Sequence, residues 1–303
     1  CNLHNMSESA YAVVAAMTMG DRSGLTRELR QSYAASGASH VLALSGMHLG
    51  VIYGLLSLLF VHHRMRVLGQ VLAMVVIWAY ATLVGMPPSV LRSATMLTIF
   101  AFVVLTGRRQ VSLNTLAFAA VVQLAINPLG LWDVGFQMSF LAVLGIVMLN
   151  LRLRDVATPI WLSRWRVIRW MWSLVKVSLA AQIAVAPLSM YYFGTFPCYF
   201  LLTNLIAVPL AMLILYSSVV MYLLVFWVWM QGIVATCIGW MATLMNTSLG
   251  FIASLPGACM YGIHMNARQV WLMYALLLVA YLMSFYIERR NITTASRSAL
   301  DKL

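Results

Sequence analysis

The chain has 303 residues, 63% of them hydrophobic and only 9% charged, with a formal charge of +12. Soluble domains are about half apolar and about a quarter charged, so this composition excludes a water-soluble globule and makes lipid the solvent. Apolar runs of about twenty residues recur, each long enough for a hydrocarbon core of about 30 Å, and backbone satisfaction in lipid makes them helices rather than loops or an open sheet.

Residues 8–20, ESAYAVVAAMTMG, are apolar but too short to span, which predicts a re-entrant or interfacial helix. A polar connector with Asp21, Arg22, Arg27 and Arg30 completes a first segment, 1–40. Spans are then predicted near 41–61, 67–86, 89–106, 111–127, 134–151, 171–193, 198–226, 232–255 and 268–287. The fold expected is an all-α polytopic bundle of about nine transmembrane helices over 41–287, followed by a polar tail, 288–303.

Arginines gather in alternate connections. Arg64 and Arg66 follow the first span, Arg108 and Arg109 the third, and Arg152, Arg154, Arg164, Arg166 and Arg169 the fifth. The connections near Pro87–Pro88, Asn127–Asp133 and Gly194–Pro197 have no Lys or Arg. Basic loops belong in the cytoplasm, which sets residues 1–40 outside and the tail, with Arg289, Arg290, Arg297 and Lys302, inside. The rest of the positive charge suits a polyanionic cargo or anionic headgroups. Cys1, Cys198, Cys237 and Cys259 show no CxxC spacing and no His cluster accompanies them, so neither a metal site nor a disulfide framework is expected. The chain opens at Cys1 without an initiator Met or a signal-peptide pattern, and reads as a piece of a longer polypeptide.

Polar groups at membrane depth face a bundle interior or a wet cavity. On one helix from Val41, at about 100° per residue, Gly46, Gly50 and Gly54 share a face that forms a GxxxG packing seam. Ser45 and His48 then share the opposite face, as an interhelical clasp or as cavity lining. In GMPPSVLRSATM, Ser89 is placed as an N-cap. Arg92, one turn on, either snorkels to the interface or lines a polar passage. Asp133 caps the helix that carries Gln137 and Ser139. Gln182 with Pro187, and Asn204 with Pro209, repeat a pairing of amide and proline that marks either plain kinks or cavity-lining helices. Asp133 is the one carboxylate near a span; Asp155 falls in a basic loop, and Glu288 and Asp301 fall in the tail. That argues against a proton-coupled transporter. A Ser45–His48 hydrolase lacks any orienting group or oxyanion hole.

The stretch GDRSGLTRELRQSYAASGASHVLALSGMHLGVI resembles the opening signature of the ComEC competence-protein family, the DNA-uptake channel of naturally transformable bacteria. LVGMPPSVLRSATM, GRRQVSLNTLAFAAVVQLAINPLGLWDVGFQMSFLAVLGI, SLAAQIAVAPLSMYYFGTFP and LTNLIAVPLAM resemble the same family in the same order, over residues 12–215. The resemblance implies a membrane domain that passes one DNA strand across the cytoplasmic membrane. It implies no cofactor and no catalysis by this chain. Relatives also carry an extracytoplasmic OB-like domain and a metallo-β-lactamase-like nuclease; no HxHxDH motif occurs here. An extracytoplasmic nuclease after this region would put the tail outside instead.

On this reading Ser45, His48, Ser89, Arg92, Asn114, Gln137, Gln182 and Asn204 line or gate a passage. Asp21, Arg22, Arg27 and Arg30 form its mouth, although Asp21 serves equally as a cap or salt bridge shaping the connector. The Trp and Tyr residues read as interfacial belts. The partners implied are single-stranded DNA, membrane lipid, a DNA receptor outside, and a separate cytoplasmic motor or single-strand-binding protein, since no P-loop is present. Assembly into an oligomer is compatible with all of this. The alternative is a transporter of small molecules or lipid that uses the same polar groups.

Overall fold

The computed structural model describes residues 6–59, 66–106, 113–153 and 165–300. Cys1, Arg64, Arg108, Arg109, Arg154, Asp155, Arg164, Asp301 and Lys302 lie outside the described residues. Twelve α-helices occur among those described: α1 Glu8–Met19, α2 Arg27–Ser36, α3 Ser39–Leu42, α4 Gly46–Leu59, α5 Arg66–Leu83, α6 Pro88–Leu105, α7 Leu113–Ile126, α8 Val134–Leu153, α9 Arg166–Phe193, α10 Phe200–Leu223, α11 Val228–Ser254 and α12 Ala267–Leu300. A 3-10 turn, Pro128–Trp132, precedes α8. Two short strands, β1 Thr195–Pro197 and β2 Cys259–Tyr261, complete the set.

Helices α4 to α12 fall where the apolar runs predict them, but they are not nine equal spans. Five are long and apolar enough to cross a membrane: α6, α9, α10, α11 and the part of α12 over Ala267–Ser284. The apolar stretches Gly46–Ser57, Val67–Leu83, Leu113–Ile126 and Val134–Leu149 are shorter. The 14 residues of α4 cover about 21 Å at 1.5 Å per residue. The single helix expected over 41–61 is broken, because Ala43 is extended at φ −88° and ψ 133° and α4 begins only at Gly46. Pro187 and Pro209 lie inside α9 and α10, and both helices continue through them. The Tyr274 hydroxyl on α12 donates to the Ala184 carbonyl at 3.0 Å, in the turn that Pro187 deprives of a hydrogen bond. Beyond the apolar part of α12, the segment read as a polar tail stays helical to Leu300.

Two apolar clusters hold the bundle. One joins α1, α2, α10 and α11 through Ala10, Val13, Met17, Tyr33, Ala211, Ile214, Ile238 and Met245. Ala10, Ala12, Val13, Val14, Ala16 and Met17 of α1 are buried in this cluster, while Tyr11 and Met19 stay exposed. Ser7 caps it by accepting from the Ala10 N–H at 3.3 Å. The second cluster joins α4, α5 and α6 through Leu49, Ile77, Ala81, Val90 and Ala94.

The close small-residue contact lies elsewhere than expected. A Cβ on Gly46 would sit 3.1 Å from Ser93 Oγ on α6, one on Gly54 3.7 Å from Tyr216 Oη on α10, and one on Gly50 near nothing. The three glycines therefore face two neighbours and a gap, not one seam. Gly145 of α8 is the residue on which α9 closes: a Cβ there would fall 2.5 Å from Ala184 Cβ and 2.7 Å from the Ala180 carbonyl oxygen.

The two short strands accompany an otherwise all-α fold. They pair antiparallel with Phe196 opposite Met260, and they tie the α9–α10 connection to the α11–α12 connection. The Cys198 N–H extends the strap by donating to the Ala258 carbonyl at 2.9 Å. Gly37, at φ 87°, ends α2 against the strap, where a Cβ would meet Pro197 Cβ at 2.9 Å. The strap thus gathers the end of α9, the start of α10, the end of α11 and the start of α12 at one level. The last turns of α10 meet the end of α5 instead, since Leu215, Ser218 and Tyr222 share a cavity with Tyr80, Leu83 and Val84.

Candidate functional site

The expected wall residues divide between separate places in the fold. Arg92, on the second turn of α6, donates from Nη1 to Asp133 Oδ2 at 2.9 Å, the ion pair seen among the described residues. The same carboxylate oxygen accepts the Phe136 N–H at 3.0 Å and so caps α8, as the sequence led us to expect. One acid thereby fixes both a helix start and a cation on a neighbouring helix. The Arg92 side chain is 13% exposed and that of Asp133 49%, so the guanidinium is largely covered by its neighbours. Its guanidinium lies over Gly135, where a Cβ would be 2.8 Å from Nη2. Gln123 of α7 donates to the Arg92 carbonyl at 3.1 Å. Gln137 donates to the Leu131 carbonyl at 2.9 Å and accepts from the Tyr192 hydroxyl at 3.1 Å. A line of polar groups, in two hydrogen-bonded sets, therefore runs across α6, α7, α8 and the end of α9.

Beside that line is a cavity of about 750 Å³, with Gln137 and Tyr192 on its wall. Trp132, Phe136, Phe140, Tyr191, Trp271 and Tyr274 supply its aromatic faces. The belt reading of the aromatics misses this gathering, because Trp132 and Trp271 lie far apart in sequence and only the packing of α8 against α9 and α12 brings them together. Gln123 was missed as well; a lone amide inside the apolar run AAVVQLAI was its signal. Asn114 is exposed in the first turn of α7, beside Leu113, which lines the cavity.

Ser45 and His48 form a different device. Ser45 precedes α4, and its Oγ accepts from the Met47 N–H at 3.3 Å while His48 Nδ1 accepts from the Ser45 N–H at 3.1 Å. Ser45 Oγ lies 3.2 Å from the same ring nitrogen. This is a reciprocal capping box with histidine in the position usually held by Glu or Gln. The pair belongs to a helix start, not to one face of a continuous helix. Ser45→Ala removes the side-chain half of the box, with an expected cost of about 1 kcal/mol; a lower melting temperature in detergent checks it. Ser89, expected as a cap, is the second helical residue of α6. Pro88 fixes the first position with Pro87 before it, so the helix starts earlier.

The connector residues Asp21, Arg22, Arg27 and Arg30 are all exposed. Asp21 Oδ1 accepts the Ser23 N–H at 2.9 Å, and hydrogen bonding from the Ser23 hydroxyl and amide holds its carboxyl below the usual carboxylate range. It shapes the turn. Arg30 closes the same turn by donating from Nη2 to the Arg22 carbonyl at 2.6 Å, while Arg22 and Arg27 point to the surface. Thr26 caps α2 through the Leu29 N–H at 3.2 Å. Gln182 is half-buried on α9 and joins neither polar group. Asn204 and Thr203 of α10, with Asn246 of α11, each keep a buried side-chain atom without a partner among the described residues. The other end of the Asn246 amide accepts from the Tyr33 hydroxyl at 2.7 Å, a bond that docks α2. No group of three His, Cys, Asp or Glu able to hold a metal occurs among the described residues.

The Competence protein family model matches residues 17–290. ComE operon protein 3 of Bacillus subtilis (strain 168) is 29% identical over 198 residues, which is 65% of this chain and 24% of the relative. An uncharacterized protein of Aquifex aeolicus (strain VF5) is 33% identical over 46% of this chain and 34% of the relative. Recombination protein 2 of Haemophilus influenzae is 24% identical over 74% of this chain and 29% of the relative. The chain thus spans about a quarter to a third of the length of these relatives. No solved structure matches it. The family match and the apolar helices make this a multi-pass membrane chain, and it belongs to the Competence protein family.

Proposed function

We infer that this chain forms the part of a DNA-uptake system that passes single-stranded DNA across the bacterial cytoplasmic membrane. The observation that carries this reading is the aromatic cavity with a polar line and a held cation beside it. Proteins that bind single strands without sequence preference combine aromatic faces for the bases with cations along the backbone. Trp132, Tyr191, Tyr192, Trp271 and Tyr274 give the first, and Arg92 the second. Gln123 and Gln137 offer neutral amide groups, which contact a phosphate without holding it as a second cation would; a passage must release its cargo. The exposed Arg22, Arg27 and Arg30 extend positive charge along the α1–α2 connector. Energy and strand separation come from other proteins in this account.

Stacking on an aromatic contributes about 1–3 kcal/mol per base. Trp132→Ala with Tyr192→Ala is therefore expected to lower transformation frequency at least tenfold while membrane accumulation stays unchanged. Transformation assays paired with immunoblots of membrane fractions check it; an unchanged frequency contradicts the assignment of this cavity.

A further inference from the structure

The second cavity, between α1, α4, α5 and α10, has a different chemistry. Its volume is about 350 Å³, within the range of about 300–1,000 Å³ usual for ligand sites. Val51, Ile52, Leu83, Val84, Leu215 and Val219 make its walls apolar. Three buried or half-buried hydroxyls around it donate inside the protein, Thr18 to Val14 O at 2.7 Å, Ser218 to Ile214 O at 2.7 Å and Tyr80 to Thr18 O at 2.8 Å, and the exposed Tyr222 adds a fourth at the edge. His48 is the exception. Because Nδ1 accepts the Ser45 N–H, the neutral ring carries its proton on Nε2. His48 is 1% exposed, and Nε2 has no partner among the described residues. A buried donor left unpaired is costly and points to an unseen acceptor.

We propose that this cavity binds an acyl chain of a membrane glycerophospholipid, whose ester carbonyl accepts the hydrogen bond from His48 Nε2–H. Three observations select this occupant. The walls suit hydrocarbon and the buried His48 donor suits a carbonyl. The rim is made of Met19, 59% exposed, and Leu83, 84% exposed, so the mouth opens through apolar side chains that face lipid. The site is framed by helix ends, namely the last turn of α1, the first of α4 and the last of α5, and the ends of spanning helices are the level at which lipid esters are met. The lipid acts as a wedge between the α4–α5 pair and α10, which otherwise touch across a void. The site is independent of the DNA-passage reading, and its test does not involve uptake.

The test uses the whole chain in nanodiscs containing a trace of phospholipid with a diazirine on one acyl chain, crosslinked by light and mapped by mass spectrometry. Labelling is expected at Ile52, Leu83 and Val219. Unlabelled diester phospholipid should compete roughly tenfold better than its diether analogue, which lacks the carbonyl. His48→Phe should abolish that preference, and Val219→Trp should remove the labelling. If either variant fails to fold, the diester–diether comparison on the unaltered chain decides alone. Equal competition by the two lipids, labelling spread evenly over the lipid-facing helices, or protection of these positions by an oligonucleotide instead of by diester lipid overturns the proposal.

Discussion

Replacing Arg92 with Gln is expected to reduce DNA uptake roughly ten- to hundredfold while leaving the protein in the membrane at its normal level. The reasoning starts from the hydrogen bonds that Arg92 makes. A hydrogen bond to a charged group contributes about 1.5–3 kcal/mol, and about 1.4 kcal/mol is a decade in rate. Gln keeps much of the side-chain length over Gly135 but cannot neutralise a phosphate. It also leaves Asp133 as a half-exposed negative charge beside the aromatic cavity, where it repels the cargo. The fold should survive, because solvent already reaches Asp133 and screens the loss. Asp133→Asn is the informative partner. Asn caps helices about as well as Asp, so α8 keeps its start, and Arg92 loses its anion but remains available to phosphate. Uptake should then stay within a few-fold of normal. Asp133→Ala removes both functions and should destabilise the chain as well. Transformation frequency, normalised to membrane-inserted protein, separates the three variants; equal losses for Arg92→Gln and Asp133→Asn mean that the ion pair matters only as a structural link.

The second large effect is structural. Gly145→Val should prevent stable packing of α8 on α9, because even a Cβ at that position meets the Ala180 carbonyl oxygen at 2.7 Å. Backbone cannot step aside as a flexible side chain can, and overpacking of this kind costs about 1–3 kcal/mol or more. Gly50→Ala is the contrast, with nothing within 4 Å of the added carbon and a gain in helix propensity of up to about 1 kcal/mol. Thermal unfolding in detergent should show a large drop for Gly145→Val and no drop for Gly50→Ala. The reverse order would restore the Gly46–Gly50–Gly54 seam and remove the Gly145 contact. Since Gln137 and Tyr192 sit on the same two helices, a loosened α8–α9 pair also widens the aromatic cavity.

Where the helices lie was legible because hydropathy acts locally: a long apolar run in lipid must form a helix whatever it packs against. Which helices are long enough to cross was not, since it depends on breaks such as the extended Ala43 and the capping box at Ser45, where short-range hydrogen bonds override the run. Asp133 was readable as a cap because capping needs only its own next turn. Its bond to Arg92 joins residues 41 apart and could not be read locally. The aromatic cavity, the Gly145 contact and the β strap are likewise products of chain segments meeting from far apart in sequence. The GxxxG pattern misled for a related reason: small residues at that spacing permit close approach without supplying the neighbour.

The central claim is that a single strand passes the aromatic cavity, and capture of the strand in transit tests it most directly. A photoreactive phenylalanine placed at Trp271, on the cavity wall, is compared with one at Trp240, which is 78% exposed on α11 and lines none of the cavities described. With labelled DNA supplied to competent cells and a flash of light during uptake, crosslinked single-stranded DNA is expected at position 271 and not at 240. Crosslinking at 240 alone, or at both positions equally, contradicts the account.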